Sequence, residues 1–198
     1  MIRVRVASEE DAAEILAIYA YYVENTAISF EYVVPTLDEF SKRIRDILKV
    51  YPYLVAEEDG KILGYIYASR FSGRTAYDWA VSSSVYIDKD HHRLGIGRLL
   101  YEKLEKILRM QNITNIYAGA ADPMEDEDAY LTKNSEHFHE AIGYKVVAKC
   151  NGCGSKFGKW YNLLEMEKII NEHSYPPKEV IPFPALMDKV CQNDGYLI

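Results

Sequence analysis

The stretch from Tyr77 to Arg109 constrains this chain more than any other. A β-rich run ending in Ser82-Ser-Ser-Val-Tyr-Ile87 passes through a short loop, Lys89 to Leu94, straight into a helix-patterned segment that opens Gly95-Ile-Gly97. From about Gly95 to Arg109 the apolar residues Ile96, Leu99, Leu100, Leu104, Ile107 and Leu108 recur at helical spacing on one face. A strand that turns directly into a one-faced helix needs a sheet for that helix to lie on, which makes the chain a layered α/β protein.

The flanking patterns extend this reading. Ile2 to Val6 alternates like a half-buried strand, and Ser8-Glu-Glu-Asp11 resembles a capping box ahead of a helix carrying Ala12, Ile15, Leu16, Tyr19, Tyr22 and Val23. Thr36 is expected to cap a second helix through about Leu48. Tyr53–Glu57 and Ile62–Phe71 read as strands joined by a hairpin at Asp59-Gly60. Tyr77 to Asp88 and Thr114 to Ala118 read as further strands, followed by an acidic loop over 122–128 and a short helix from about Thr132 to Ile142. Strands near Tyr144–Cys150 and Lys159–Lys168 complete a domain over residues 1–170. Residues 171–198, with Pro176, Pro177, Pro182 and Pro184, read as an extended tail on its surface. Helices interspersed with hairpin neighbours imply a mixed sheet.

A loop with two glycines at a helix start is built to hold an anion, because first-turn N–H groups point outward and the helix dipole favours negative charge there. Residues 85–110 carry a net +2 inside a chain whose net charge is −7. A phosphate or pyrophosphate is the ligand class that fits. The dinucleotide fingerprint is absent, since Leu100 stands where its third glycine belongs, and no P-loop is present. The acidic balance argues against a nucleic-acid partner. No apolar run approaches the ~18 residues of a membrane span, and three cysteines suit a reducing cytoplasm. The start of the chain shows no signal-peptide pattern.

Four segments carry a resemblance to a known family: Thr26-Ala-Ile-Ser-Phe-Glu31, Ala76-Tyr-Asp-Trp79, Ser84-Val-Tyr-Ile87 through His92-Arg-Leu-Gly-Ile-Gly97, and His139-Glu-Ala-Ile-Gly-Tyr144. In this order, with a looser match at Gly158-Lys-Trp160, the chain resembles the GNAT acyltransferases, and within them the phosphinothricin (bialaphos-resistance) N-acetyltransferase group. The resemblance implies a mixed, mostly antiparallel central sheet flanked by helices. It also implies acetyl-CoA as donor, no metal, a small-molecule primary amine as acceptor, direct attack of the amine on the thioester, and a homodimer. Val85, Tyr86 and Ile87 would pair with pantetheine like an added strand. The loop His92, Arg93, Leu94, Gly95, Ile96, Gly97 and Arg98 would hold the pyrophosphate, with Lys89, Arg93 or Arg98 adding charge-assisted contacts. Phe30, Tyr32, Tyr77 and Trp79 would line the acceptor site.

The departures from the family fall near the chemistry. Its loop usually opens with Gln or Arg, where this chain has His92. The phosphinothricin enzymes carry a Glu proposed as general base at the position of Ser82, whose hydroxyl cannot deprotonate an ammonium at neutral pH but can hydrogen-bond a water. Asp78 is a substitute carboxylate nearby. The family's CoA-contacting Asn falls on Thr132, with Asn134 close by. His139 matches the family and is assigned the proton transfer. Three readings stay open at this point: an amino-acid-type N-acetyltransferase, a CoA-binding or regulatory module with altered catalysis, and an acetyltransferase for polyamines or protein N-termini.

Three features remain outside the resemblance. The acidic loop 122–128 is read as a solvated segment, or else as a collector of cationic amines. Cys150-Asn-Gly-Cys153 has no second ligand pair and reads as a turn with two incidental thiols. Tyrosines are 17 of the chain's aromatic residues and read mainly as packing, with Tyr32, Tyr77 and Tyr86 as pocket lining.

Overall fold

The structure is a computed structural model and describes residues 1–125, 127–191 and 195–197. Its elements are β1 (Arg3–Val6), α1 (Ala12–Asn25), α2 (Leu37–Leu48), β2 (Tyr53–Glu58), β3 (Lys61–Arg70), β4 (Ala80–Ile87), α3 (Ile96–Met110), β5 (Asn115–Pro123), α4 (Asn134–Ala141), β6 (Lys145–Lys156), β7 (Lys159–Ile169) and a short α5 (Met187–Val190). One seven-stranded sheet runs in the order β1-β2-β3-β4-β5-β7-β6. Among the described residues only β4 and β5 are parallel neighbours; every other strand pair is antiparallel.

Local signals explain the elements. Thr36 accepts from the Glu39 N–H while the Glu39 carboxylate accepts from the Thr36 N–H, a reciprocal cap that starts α2. Asp59 and Gly60 both have positive φ, +52° and +79°, which turns β2 into β3 within two residues. The sheet buries side chains on both faces. Leu54, Ile66, Ala68, Val81, Ile116, Ala118, Leu164 and Met166 pack under α3, while Tyr53, Val55 and Tyr65 pack under α1 and α2. The tyrosine excess is largely that second layer: Tyr53, Tyr65 and Tyr67 stack with interplanar angles of 8–16°.

Several boundaries differ from those read in the sequence. Residues 75–77 form a single 3-10 turn, so β4 starts only at Ala80. β5 runs on to Pro123, which places Asp122 in a strand, buried and bonded to Lys149 (2.7 Å) and Asn162 (2.9 Å), rather than in a solvated loop. Asp126 lies outside the described residues. Cys150 and Cys153 stand within β6, where the register slips between Cys150 and Gly154, rather than in a turn. Phe183, Leu186, Val190 and Leu197 are buried, so the segment after β7 inserts side chains instead of only lying over the surface. Among the described residues no helix is long and apolar enough to cross a membrane.

Candidate active site

The strand pair β4–β5 creates the site. Their pairing covers only Ala80–Ser82 against Asn115–Tyr117, although β4 continues to Ile87 and β5 to Pro123. Beyond Ser82 the two parallel strands part. β4 stays paired on its other side, through Val85–Ile66, Tyr86–Tyr65 and Ile87–Gly64, so its edge toward β5 is left with backbone groups for an extended ligand.

The helix start stands at the same end of β4. Gly95, at φ +81°, is the N-cap of α3 and supplies no capping side chain, so the first-turn N–H groups of Ile96, Gly97 and Arg98 stay open for an anion. Arg93 also has positive φ, +63°, which folds the preceding turn around the same point. Gly97 serves a different purpose from the one its spacing suggests. A Cβ there would come within 3.0 Å of the Phe138 ring, so this glycine lets α4 approach α3.

The basic side chains are committed unequally. Lys89 is ion-paired with Asp90 at 2.6 Å, and Arg98 donates to the Ala141 carbonyl at 3.3 Å. His92 Nε2 donates to the Tyr22 hydroxyl at 2.8 Å, and that hydroxyl donates in turn to the Ile87 carbonyl. The opening residue of the loop is thereby tied to the end of β4. Burial pushes the Tyr22 hydroxyl up to about 12, which keeps it a donor. Thr132 and Asn134 are exposed at the start of α4.

His139 is placed by α4 but does not open to solvent. It is only 4% exposed, and burial holds its imidazole below the ordinary value, hence neutral. Nδ1–H donates to the Ser135 carbonyl at 2.7 Å, so Nε2 is the acceptor of a hydrogen bond that the Tyr101 hydroxyl donates at 2.9 Å. The Tyr101 oxygen lies 3.0 Å from Ser83 Oγ, which also bonds the Tyr117 carbonyl at 3.2 Å. A chain Ser83–Tyr101–His139 thus starts at the point where β4 and β5 separate. The Tyr101 hydroxyl therefore stands between His139 Nε2 and Ser83. Tyr101 continues the apolar stripe of α3 beside Leu100 and Leu104, which is the signal by which it was findable; Ser83 carried none.

The residues expected to line the acceptor site do not meet. Phe30 packs on Tyr161, and Tyr32, 70% exposed, donates to the Ser155 carbonyl. Tyr161 pairs with Pro123 at the far end of β5. Tyr77 and Trp79 sit near Asn115, eight residues back along that strand, or about 27 Å at ~3.4 Å per residue. Trp79 donates its indole N–H to the Lys178 carbonyl (2.6 Å) and, with Tyr77, Phe71, Tyr117 and His173, lines a cavity of about 710 Å³. The Tyr86 ring is packed against Tyr19 and Tyr22 at 5.1 and 5.2 Å and is not pocket lining. Ser82 pairs with Tyr117 and with Ser69, half-buried on the sheet face away from α3. Asp78 lies 3.5 Å from the Arg70 guanidinium. Among the described residues no cluster of three His, Cys, Asp or Glu side chains could hold a metal ion.

Comparison with known proteins gives one consistent answer. The family model described as an acetyltransferase (GNAT) domain matches residues 4–164. A phosphinothricin N-acetyltransferase of Streptomyces viridochromogenes is 31% identical over 91% of this chain and 94% of its own length. An L-methionine sulfoximine/L-methionine sulfone acetyltransferase of Salmonella typhimurium is 30% identical over 87% of this chain and 97% of its own. The crystal structure of a phosphinothricin acetyltransferase from Sinorhizobium meliloti in complex with acetyl-CoA superposes with a TM-score of 0.80, at 26% identity, over 90% of this chain and 93% of that one.

Proposed function

The chain belongs to the GNAT acetyltransferase family, and from that premise we propose that it moves an acetyl group from acetyl-CoA to the primary amine of an amino acid or a close analogue. The parting of β4 and β5 beside the uncapped start of α3 carries this reading. In it, the free edge of Val85–Ile87 pairs with the pantetheine amides, and the amides of residues 93–98 hold the pyrophosphate with Arg93. The curated relatives named for phosphinothricin and methionine sulfoximine support an acceptor that carries an α-amino acid group.

The chemistry is direct transfer. An acceptor ammonium loses a proton, its nitrogen lone pair attacks the thioester carbonyl carbon, and the tetrahedral adduct expels the CoA thiolate as the C–S bond breaks. In this reading His139 takes or returns a proton through Tyr101, and Ser82 holds a water on the acceptor face. The Tyr77–Trp79 cavity receives the acceptor's remainder.

A homodimer in the cytoplasm completes the proposal. β6 is an edge strand whose residues 145–151 are exposed, with Val146 and Val147 adjacent on it, a surface that a second copy would cover. Cys150 and Cys153 are free and exposed, which suits a reducing compartment. Light scattering on the purified chain reads the dimer as twice 22.8 kDa.

The test is a thiol-release assay with acetyl-CoA against phosphinothricin, methionine sulfoximine, the common amino acids, polyamines and short peptides. Turnover with amino-acid-type amines is the expected result. Turnover confined to polyamines or peptides moves the acceptor class, and tight CoA binding without turnover on any amine overturns the enzyme reading.

A further inference from the structure

Ser82 leaves the face of β4 turned away from α3 without a carboxylate where the two parallel strands part, and cross-strand register shows what stands beside it. Residues paired across a sheet share a face. Ser82 pairs with Tyr117, Tyr117 with Glu167, and Gly119, two residues on from Tyr117, with Glu165. Ser82, Tyr117, Gly119, Glu165 and Glu167 therefore project from one face. Ile116, Ala118, Leu164 and Met166 are buried on the other side under α3.

The carboxylates of this region differ in what they are already doing. Glu167 Oε1 accepts from the Tyr117 hydroxyl at 2.5 Å and from the Asn115 amide at 2.9 Å. Glu31 is paired with Arg43 at 2.7 Å, and Asp78 is beside Arg70. Glu165 makes no hydrogen bond or ion pair among the described residues, and it is half-buried rather than splayed into water. Its neighbours on this face are Tyr117 and Glu167, with Lys145 across β6 opposite Glu167. Its cross-strand partner Gly119 is exposed and has no side chain, and Leu163, two residues before Glu165 on the same face of β7, lies against it, so the way from Glu165 to the edge of β5 that parts from β4 runs over Gly119 beside the Leu163 methyl. One strand spacing is about 4.8 Å, within the reach of a glutamate plus one bound water.

We propose that Glu165 is the general base of the reaction, supplying from β7 the carboxylate that Ser82 does not supply from β4. This rests on the acetyltransferase reading above and deepens it. Through one water held by Ser82, the Glu165 carboxylate takes a proton from the acceptor ammonium and is left as the neutral acid. The freed amine adds to the thioester carbonyl carbon to form the C–N bond, and collapse of the tetrahedral adduct breaks the C–S bond. The thiolate leaves with the proton lost by the adduct nitrogen, and Glu165 returns its own proton to solvent. The balance is one ammonium and one thioester to one amide, one thiol and one proton.

The experiment compares wild type, Glu165→Gln and the double variant Glu165→Gln/Ser82→Glu on the best acceptor of the panel, with acetyl-CoA affinity and melting temperature measured for each. The expected result is a fall of about 100-fold or more in kcat for Glu165→Gln, within the range for loss of a general base. Its acetyl-CoA Kd and Tm stay unchanged, the acid limb of its pH–rate profile is lost, and Ser82→Glu restores at least tenfold. A Glu165→Gln enzyme within threefold of wild type overturns the proposal, and so does a loss that Ser82→Glu leaves unrepaired. Wild-type protein that binds acetyl-CoA yet acetylates no amine fails the functional reading instead, so the two failures are distinguishable.

Discussion

The donor side and the acceptor face of this molecule meet at the same parting strands but are built in opposite ways. The proposed donor side is one continuous piece of chain, β4 through the loop to α3, and what it offers a ligand is backbone amides and a helix dipole. The acceptor face is assembled from β3, β4, β5 and β7, so its groups meet only through strand register. A local device survives side-chain exchange, as His92 shows by taking the loop's first position without disturbing Gly95 or the open first turn. A device made by register can lose a group on one strand and regain it on another.

The largest effect is expected beyond both sides, at the β6–β7 hairpin. Lys156, 2% exposed at the end of β6, donates to the carbonyls of Val23 (2.7 Å), Thr26 (2.9 Å) and Ser29 (2.6 Å). It pins the loop between α1 and α2 to the β6–β7 hairpin, and burial lowers its pKa while Glu31 opposes the shift. Lys156→Met strands three carbonyls at roughly 1–3 kcal/mol each where water cannot reach them. The expected cost is about 3 kcal/mol or more, or a fall of roughly 6–12 °C in Tm at this chain length. Acceptor KM and acetyl-CoA Kd in the folded fraction should both hold, because Ser29 and Lys156 stand at the Pro123 end of β5, away from the Tyr77–Trp79 cavity. An unchanged Tm would mean that the two segments are not joined through this ammonium.

The donor side should respond in the reverse sense. Gly95→Ala meets no neighbouring atom, so its cost is confined to holding an L-residue at φ +81°, about 1–2 kcal/mol. If part of that is relieved by rotating the turn out of position, acetyl-CoA Kd rises about tenfold, equivalent to about 1.4 kcal/mol, with acceptor KM unaffected. Calorimetric titration with acetyl-CoA reads this directly. A larger change in acceptor KM than in Kd would erase the division between the sides.

This division also explains what was legible before the structure. Motif and periodicity sufficed for α3, its loop, the caps at Ser8 and Thr36 and the Asp59-Gly60 turn, because each is decided within a few residues. The extension of β5 to Pro123 was hidden because Asp122 looks solvent-bound until Lys149 and Asn162 close on it from neighbouring strands. Phe30 and Tyr77 were grouped as pocket lining from motif membership alone, although β5 holds them at opposite ends. Glu165 and Tyr117 have no sequence signal; only the pairing of β5 with β7 puts them beside Ser82.

His139 sits between the two sides and gives a smaller, pH-resolved effect. Its folded pKa lies below the ordinary ~6.5, so the unfolded chain binds the extra proton first. Stability from keeping it neutral is present above about pH 6.5 and is lost as pH falls through the folded value. Denaturant melts between pH 7 and 5 should show this decline, and His139→Asn should flatten it even though the variant is less stable throughout. A slope unchanged by the substitution would place the titrating group elsewhere.

The smallest effect is expected from the acidic stretch that looked, in the sequence, like a collector of cationic amines. Its charges are largely spent inside the protein. Asp122 is held by Lys149 and Asn162, Asp128 by Lys159 (3.1 Å) and the Tyr161 hydroxyl, and Glu125 by Lys159 (3.0 Å). Paired charges present little net field beyond a Debye length of about 8 Å at physiological salt. Glu125→Gln with Glu127→Gln should therefore change apparent KM for a diamine or an amino acid by less than about twofold, and raising salt should change wild type and variant alike. A KM that rises severalfold for cationic amines alone would show that this loop acts on the acceptor at a distance. Acceptor recognition would then depend on long-range charge as well as on the groups that register brings together.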